Sequence, residues 1–101
     1  MNVTIKKEEG RYVVNFIGEL DTAASRQADK DLSPLYQYDD SDILIDCSQL
    51  SYISSSGLRM LLSLYKHQRS SGHRVLIANI NDDIEDVFRV SGFLQLFEII
   101  K

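Results

Sequence analysis

The sequence predicts an α/β fold, with a mixed β-sheet that carries its helices mainly on one side. Strand-like runs alternate with segments of helical periodicity in the order β-β-α-β-α-β-α-β. Hydrophobic residues make up 44% of the chain and charged residues 26%, a balance that favours a packed core over disorder. No linker, repeat or low-complexity segment interrupts the 101 residues, so we expect one domain spanning 1–101.

The first part of the chain predicts a β-hairpin followed by a helix. "NVTIK" and "RYVVNFI" alternate in the manner of strands, and the residues from Glu8 to Gly10 join them. After "GELD", Asp21 or Thr22 is suited to cap a helix, and Pro34 predicts a kink or a restart. The apolar residues that recur at near-helical spacing in this segment are Ala24, Ala28, Leu32 and Leu35.

The middle of the chain predicts a buried strand and the strongest helix. "DILIDC", residues 42–47, is a short apolar run typical of a central strand. The helix is expected to begin near Leu58 and to stop at Ser71 and Gly72. Its apolar positions, at spacings i, i+3, i+4 and i+7, are Leu58, Leu61, Leu62 and Tyr65.

The last part predicts a strand, a helix and a final strand. "RVLIA" is the first of these strands and "LFEII" the second. Asn81 is expected to cap the helix between them, and Gly92 followed by Phe93 resembles a Schellman ending. The apolar face of this helix carries Ile84, Val87 and Phe88.

Charge and composition exclude several classes of function. The formal net charge is -4 and no basic block is present, so nucleic acid is not an expected partner. No apolar run reaches the length of a membrane span, and charges occupy the N-terminal segment where a signal peptide needs apolar residues. The single Cys47 suits a reducing compartment. We therefore expect a cytoplasmic protein that does not insert into membranes and that binds another protein.

The sequence predicts no catalytic residue, cofactor or metal ligand. Cys47 ends a buried strand, as small core cysteines do, and neither His67 nor His73 has a carboxylate or cysteine placed to complete a triad or a metal site. The acidic clusters at 39–42 and 81–83 are explained by a loop and by the start of a helix. "SSSG" lacks the lysine of a phosphate-binding loop. A small enzyme that uses Cys47 or a histidine is kept as an alternative.

The stretch "SYISSSGLRMLL", residues 51–62, allows two interpretations. Serines before a helix commonly cap it, which is a structural role. The same loop directs free backbone N–H groups and the positive end of the helix at the serine hydroxyls, which favours an anion there. Gly57 places no side chain beside Ser56, so the active site of another protein could approach that hydroxyl. Spacing alone does not decide between these interpretations.

Three motifs together resemble a known family. "ILIDCSQLSYISSSGLRMLL" resembles the segment "hhhDhSxhxxhDSSGLxhhh" (h, apolar) of the STAS family, the bacterial anti-anti-sigma factors and their relatives. "GELD" resembles a second landmark of that family, and "VFRVSGFLQLFEI" is similar to its "hFxhsGhxxhhxh" ending. The resemblance covers almost the whole chain. It implies a STAS fold and a protein-binding module that is not an enzyme.

The resemblance also implies a role and a site. In the anti-sigma factor antagonist branch, such a phosphoprotein binds an anti-sigma factor serine kinase, frees a sigma factor for transcription in a stress response, and is switched off by phosphorylation. By position, Ser56 corresponds to the phosphoacceptor, and a serine phosphatase is a further implied partner. The expected docking surface, where the "GELD" loop and the serine loop meet at one end of the sheet, comprises Asp21, Thr22, Ser54, Ser55, Ser56, Gly57 and Arg59.

Two departures from the family pattern stand out. Ser54 occupies the place of the usual aspartate, so the carboxylate that commonly lies beside the acceptor is missing. The chain ends at Lys101, where many relatives continue into another helix, so we expect a sheet edge or helix flank to be left for a partner or a second copy. The alternative function is a STAS subunit of a membrane transporter, of the lipid-trafficking ABC type, that docks on its ATPase.

Overall fold

The computed structural model describes residues 1–37 and 40–100. Within them, five strands form one mixed sheet in the order β1-β2-β3-β4-β5, in which β1 pairs antiparallel with β2 and the remaining pairs are parallel. The α/β mixed sheet predicted from the sequence is thus confirmed. The strands are β1 Asn2–Glu8, β2 Arg11–Leu20, β3 Asp42–Ile53, β4 Val75–Ala78 and β5 Glu98–Ile100.

The helices begin and end largely where local signals predict. Asp21 caps the first helix, its Oδ1 accepting a hydrogen bond from the Ala24 N–H at 2.8 Å. The chain restarts as a second helix around Pro34, whose missing N–H is tolerated in a first turn. Asn81 caps the last helix, and Gly92 ends it in the left-handed conformation at φ 82°. The helices are α1 Thr22–Asp31, α2 Ser33–Gln37, α3 Ser55–Ser70 and α4 Asp82–Ser91, followed by a 3-10 turn Phe93–Gln95.

Among the described residues, one core cluster lies between one face of the sheet and the helices. Val14, Ile45 and Ile77 of neighbouring strands face this core, and all four helices contribute buried residues to it. Val13 and Leu76 are buried as well, but they lie outside this cluster because successive strand residues point to opposite faces. The helices therefore cover one face, as predicted.

The last strand begins at Glu98 rather than Leu96, β2 runs to Leu20 rather than Ile17, and two further predicted boundaries beside the serines are wrong. β3 does not end at Cys47 but continues to Ile53, because its pairing with β2 extends to the partners Leu20 and Ile53. α3 begins at Ser55 rather than near Leu58. Consequently the expected loop between strand and helix shrinks to Ser54 alone.

Two predictions fall partly or wholly outside the described residues. Asp39 of the acidic cluster and the chain end at Lys101 are not described. Among the described helices, none combines the length and the apolar character needed to cross a membrane.

Candidate functional site

The carboxyl ends of β2 and β3 lie side by side and position both predicted loops. The Ser54 N–H donates a hydrogen bond to the Leu20 carbonyl oxygen at 2.9 Å. Each strand is followed at once by a helix, because Asp21 caps α1 and Ser54 caps α3. The "GELD" segment and the serines are thereby held at the same end of the sheet, with the amino-terminal ends of two helices exposed beside each other.

The three consecutive serines differ in their surroundings. Ser54 is only 8% exposed, and its Oγ accepts a hydrogen bond from the Gly57 N–H at 3.1 Å. Ser55 is exposed, and Ser56 is half-buried with its Oγ accepting a hydrogen bond from Arg59 Nη2 at 3.1 Å. Ser54 therefore serves the structure as an N-cap, whereas the hydroxyls of Ser55 and Ser56 are accessible to a partner.

Gly57 is required by packing inside the protein. A Cβ atom at this position would lie 2.9 Å from Ile53 Cγ1 and 2.9 Å from Leu20 Cδ2, both of them buried side chains. A side chain at position 57 would thus point into the core and not toward a partner at Ser56, so the expected role of Gly57 in admitting a partner is not the reason for the glycine. The glycine lets the first turn of α3 approach the ends of β2 and β3.

An open groove of about 350 Å³ runs between α1 and α3. It brings together Thr22, Ser56 and Arg59 of the predicted docking surface, while Asp21 and Ser55 are exposed at the helix starts. Ser54 and Gly57 are buried, so they shape this surface from below. The residues that line the groove are Thr22, Ser25, Arg26, Asp29, Ser56, Arg59, Met60 and Ser63.

Sequence reasoning missed Arg26. This residue lies one helical turn after Thr22, so the i, i+4 spacing on α1 would have placed both on one face once the groove was known. Among the described residues, neither Arg26 nor Arg59 forms an ion pair with a carboxylate, although Asp29 also lines the groove. The chain carries a formal net charge of -4, yet this groove contains two guanidinium groups and one carboxylate among its described lining residues.

Sequence reasoning also missed an apolar hollow of about 400 Å³ beside the site. Leu58 of α3 and Val87 and Val90 of α4 form most of its wall, and Asp86 and Ser91 complete it. Val90 is 88% exposed. Val90 follows Val87 by three positions, so the two side chains lie on neighbouring parts of one helix face, and this spacing was the available signal.

The side chains considered for catalysis lie away from this site. Cys47 is buried in the core, and burial, reinforced by the nearby charge of Asp46, raises the pKa of its thiol to about 12. Such a thiol is protonated at neutral pH and is a poor nucleophile. The His67 ring packs 4.8 Å from the Tyr36 ring, and His73 Nδ1 lies 3.5 Å from Asp42 Oδ1. Within 1–37 and 40–100, no three His, Cys, Asp or Glu side chains are grouped to hold a metal ion.

The fold and the site together define a small α/β domain that presents hydroxyl groups at the start of a helix. A family model described as the STAS domain matches residues 2–101, and the chain therefore belongs to the STAS domain family.

Named relatives match nearly the whole chain. BtrV of Bordetella bronchiseptica, a proposed anti-sigma factor antagonist, is 27% identical over 99 residues, covering 98% of this chain and 85% of BtrV. The anti-sigma-B factor antagonist of Bacillus subtilis is 25% identical, covering 98% of this chain and 90% of that protein.

Solved structures share the fold. The anti-sigma factor antagonist SpoIIAA in its unphosphorylated form has a TM-score of 0.77 at 19% identity, covering 99% of this chain and 88% of that one. The phosphorylated form of SpoIIAA, a Bacillus cell fate determinant, has a TM-score of 0.76 at 20% identity, covering 99% and 92%.

Proposed function

We propose that this protein is an anti-sigma factor antagonist of the bacterial cytoplasm. It binds an anti-sigma factor that is a serine kinase, and this binding frees a sigma factor. The observation that carries the proposal is the pair of accessible hydroxyls, Ser55 and Ser56, at the start of α3 in a STAS domain. Similarity to two antagonists over 98% of the chain supports it. The protein acts by binding and performs no turnover of its own.

The bound partner phosphorylates Ser56 and is released by doing so. The Ser56 Oγ attacks the γ-phosphorus of ATP held by the kinase, ADP leaves, and the hydroxyl proton passes to a base of the kinase. The product carries about 1.5 to 2 additional negative charges at neutral pH. A helix amino terminus favours such a charge by roughly 0.3 to 1 kcal/mol, so the domain stays folded. A serine phosphatase would reverse the modification.

The interface determines the direction of the switch. There the phosphate must be desolvated or set against a surface shaped for a neutral hydroxyl, and contacts of this kind cost several kcal/mol. Moving a complex from almost fully bound to almost fully free requires about 5.5 kcal/mol of differential affinity. Loss of one hydroxyl hydrogen bond would reduce the binding free energy by about 1 kcal/mol, which is too little for this change. A phosphate buried in the interface would reduce it by several kcal/mol, which is enough.

Ser55 is the second candidate acceptor, because it is the more exposed of the two hydroxyls. Ser56 remains the preferred acceptor because it lies directly before Gly57 and because its Oγ accepts a hydrogen bond from Arg59. Ser54 is a poor substrate, since its hydroxyl is buried and occupied as a cap.

The experiment is capture of partners by the purified protein from a lysate of its own cells, followed by incubation with ATP. Peptide mass spectrometry then locates the phosphate, and calorimetry measures the affinity of each variant. We expect Ser56→Ala to bind and to lose the phosphate, and Ser56→Glu to fold but bind weakly. Ser70→Glu, an exposed serine in the last turn of α3, is the matched control and should bind like the parent.

The outcomes separate the alternatives. Phosphate on Ser55 would move the acceptor by one residue and keep the mechanism. Absence of phosphate from both serines, together with undiminished binding by Ser56→Glu, would refute the switch. Capture of a transporter ATPase instead of an anti-sigma factor would favour the transporter-subunit function.

A further inference from the structure

The groove between α1 and α3 contains two arginine side chains and the Ser56 hydroxyl. Ser56 Oγ already accepts a hydrogen bond from Arg59 Nη2 at 3.1 Å, so a phosphate bonded to this oxygen would form within reach of that guanidinium. Arg26 lines the same groove from α1, on the opposite side. Guanidinium groups bind phosphate through paired N–H donors, which is why arginine is common at phosphate sites.

Both arginines are available for this role. Arg59 is exposed and donates its hydrogen bond to a neutral hydroxyl, and Arg26 is exposed with no carboxylate partner among the described residues. The carboxylate that lines the groove is Asp29, three residues after Arg26 on α1, and Asp21 lies at the start of that helix. The charge of Asp29 repels a phosphate, but the two guanidinium groups that line the same groove attract it, so the three charges together favour a phosphate.

We propose that the groove is an intramolecular phosphate-binding site, in which the guanidinium groups of Arg59 and Arg26 bind the phosphate of phosphorylated Ser56. The inference rests on the proposed phosphorylation and names how the modified site is held. The phosphate lies between α1 and α3 instead of projecting from α3. Modification therefore adds negative charge and, in the same event, removes two positive groups from the surface that an unmodified protein offers to its partner.

The test uses phosphoserine placed at position 56 by genetic code expansion, so that no kinase is needed. A second protein with phosphoserine at 55 is the matched control, because that phosphate lies at the same helix end and Ser55 does not line the groove. Phosphorus-31 NMR titration measures the second pKa of each phosphate, which is about 6 for an ordinary phosphoserine. We expect the pKa at position 56 to be lower than at 55 by roughly half a unit or more, since nearby cations favour the doubly charged form.

Two substitutions assign this difference to the arginines. Arg59→Gln and Arg26→Gln should each raise the pKa of the phosphate at 56, and Arg26→Gln should leave the phosphate at 55 unchanged. Lys30→Gln, which removes an exposed positive charge of α1 outside the groove, should change neither. Amide spectra of each variant report whether the fold is retained.

Equal pKa values at 55 and 56 would overturn the proposal. An effect of Arg26→Gln no larger than that of Lys30→Gln would also overturn it, because α1 would then take no part. These results leave the antagonist function untouched, since partner capture and binding are measured separately. Conversely, if no kinase phosphorylated Ser56, the pKa measurement on the protein with phosphoserine placed at position 56 would still test the phosphate-binding site.

Discussion

The two ends of the sheet differ in whether their arginine side chains form ion pairs. Where the parallel strands begin, the Arg74 N–H donates to Asp42 Oδ1 at 2.9 Å, and the Arg74 guanidinium lies 3.2 Å from Asp42 and 3.1 Å from Glu98. Where the strands end, Arg26 and Arg59 have no ion pair among the described residues. Ion pairs at the first end link β3, β5 and the residue before β4, whereas the two arginines at the second end form no ion pair among the described residues.

Buried polar groups follow the same division. At the strand starts, the buried Gln68 donates through Nε2 to the Ser41 carbonyl oxygen at 2.8 Å, which ties α3 to the segment before β3. At the strand ends, the hydroxyl of the buried Ser54 caps α3, and the two serines after it keep accessible hydroxyls. The contacts that tie distant segments together at the strand starts are thus separated from the accessible serine hydroxyls at the strand ends.

The largest expected effect is a loss of binding from a reversed charge at the serine end. Arg59→Glu should weaken the affinity for the anti-sigma factor about 100-fold, close to 2.7 kcal/mol, because like charges at an interface cost this order of energy. Arg74→Glu, at the opposite end, should lower stability and leave affinity nearly unchanged. Isothermal calorimetry of both variants measures this contrast. The reverse result, with binding lost only in Arg74→Glu, would show that the docking surface lies at the opposite end of the sheet.

The next effect is on packing beneath the serines. Gly57→Ala should lower the free energy of unfolding by about 1 to 2 kcal/mol, because the new methyl group collides with the buried side chains of Leu20 and Ile53. Ser55→Ala, an exposed change in the same turn, is the control and should lie within about 0.5 kcal/mol of the parent. Urea unfolding measures both. Leu20→Ala should lower the free energy of unfolding less in the Gly57→Ala protein than in the parent, because it removes the side chain that collides. An equal loss in both proteins would show that the collision is not the cause.

A smaller effect concerns the cap of α3. Ser54→Ala should cost about 1 kcal/mol of stability, since it removes the acceptor for the Gly57 N–H. Ser54→Asp restores both that acceptor and the carboxylate usual in the family, and it should keep most of the stability. Thermal unfolding compares the three proteins. Equal melting temperatures for Ser54→Ala and the parent would show that the cap contributes nothing.

The smallest effect, at the opposite end, depends on pH. Hydrogen bonds from the Arg74 backbone and side chain hold the pKa of Asp42 below its usual range. A carboxyl group with a lowered pKa stabilises the fold above its unfolded pKa, about 3.9, and loses that contribution as pH falls through its folded pKa. Asp42→Asn should therefore cost about 0.5 to 1 kcal/mol at pH 7 and progressively less below pH 4. Chemical unfolding across pH tests this, and a pH-independent difference would argue against the ion pair.

Local chemistry made much of the fold predictable from the sequence. Asp21 and Asn81 were recognisable as caps because each side chain bonds to a backbone N–H three residues ahead. Gly92 was recognisable as a helix end because glycine reaches positive φ without a steric cost. Signals of this kind act within one helical turn, and the motifs that resembled the STAS family pointed to the matching domain over residues 2–101.

The tertiary structure decided what depends on contacts between distant segments. Lateral pairing with β2 carried β3 past Cys47 to Ile53, which moved the start of α3 back to Ser55 and gave the three serines different surroundings. Arg26 and Ser56 line one groove because α1 packs against α3, two helices that are separated in the chain by α2 and β3. Hydrogen bonds between strands and contacts between helices join residues some thirty positions apart, and no spacing within a single segment records them.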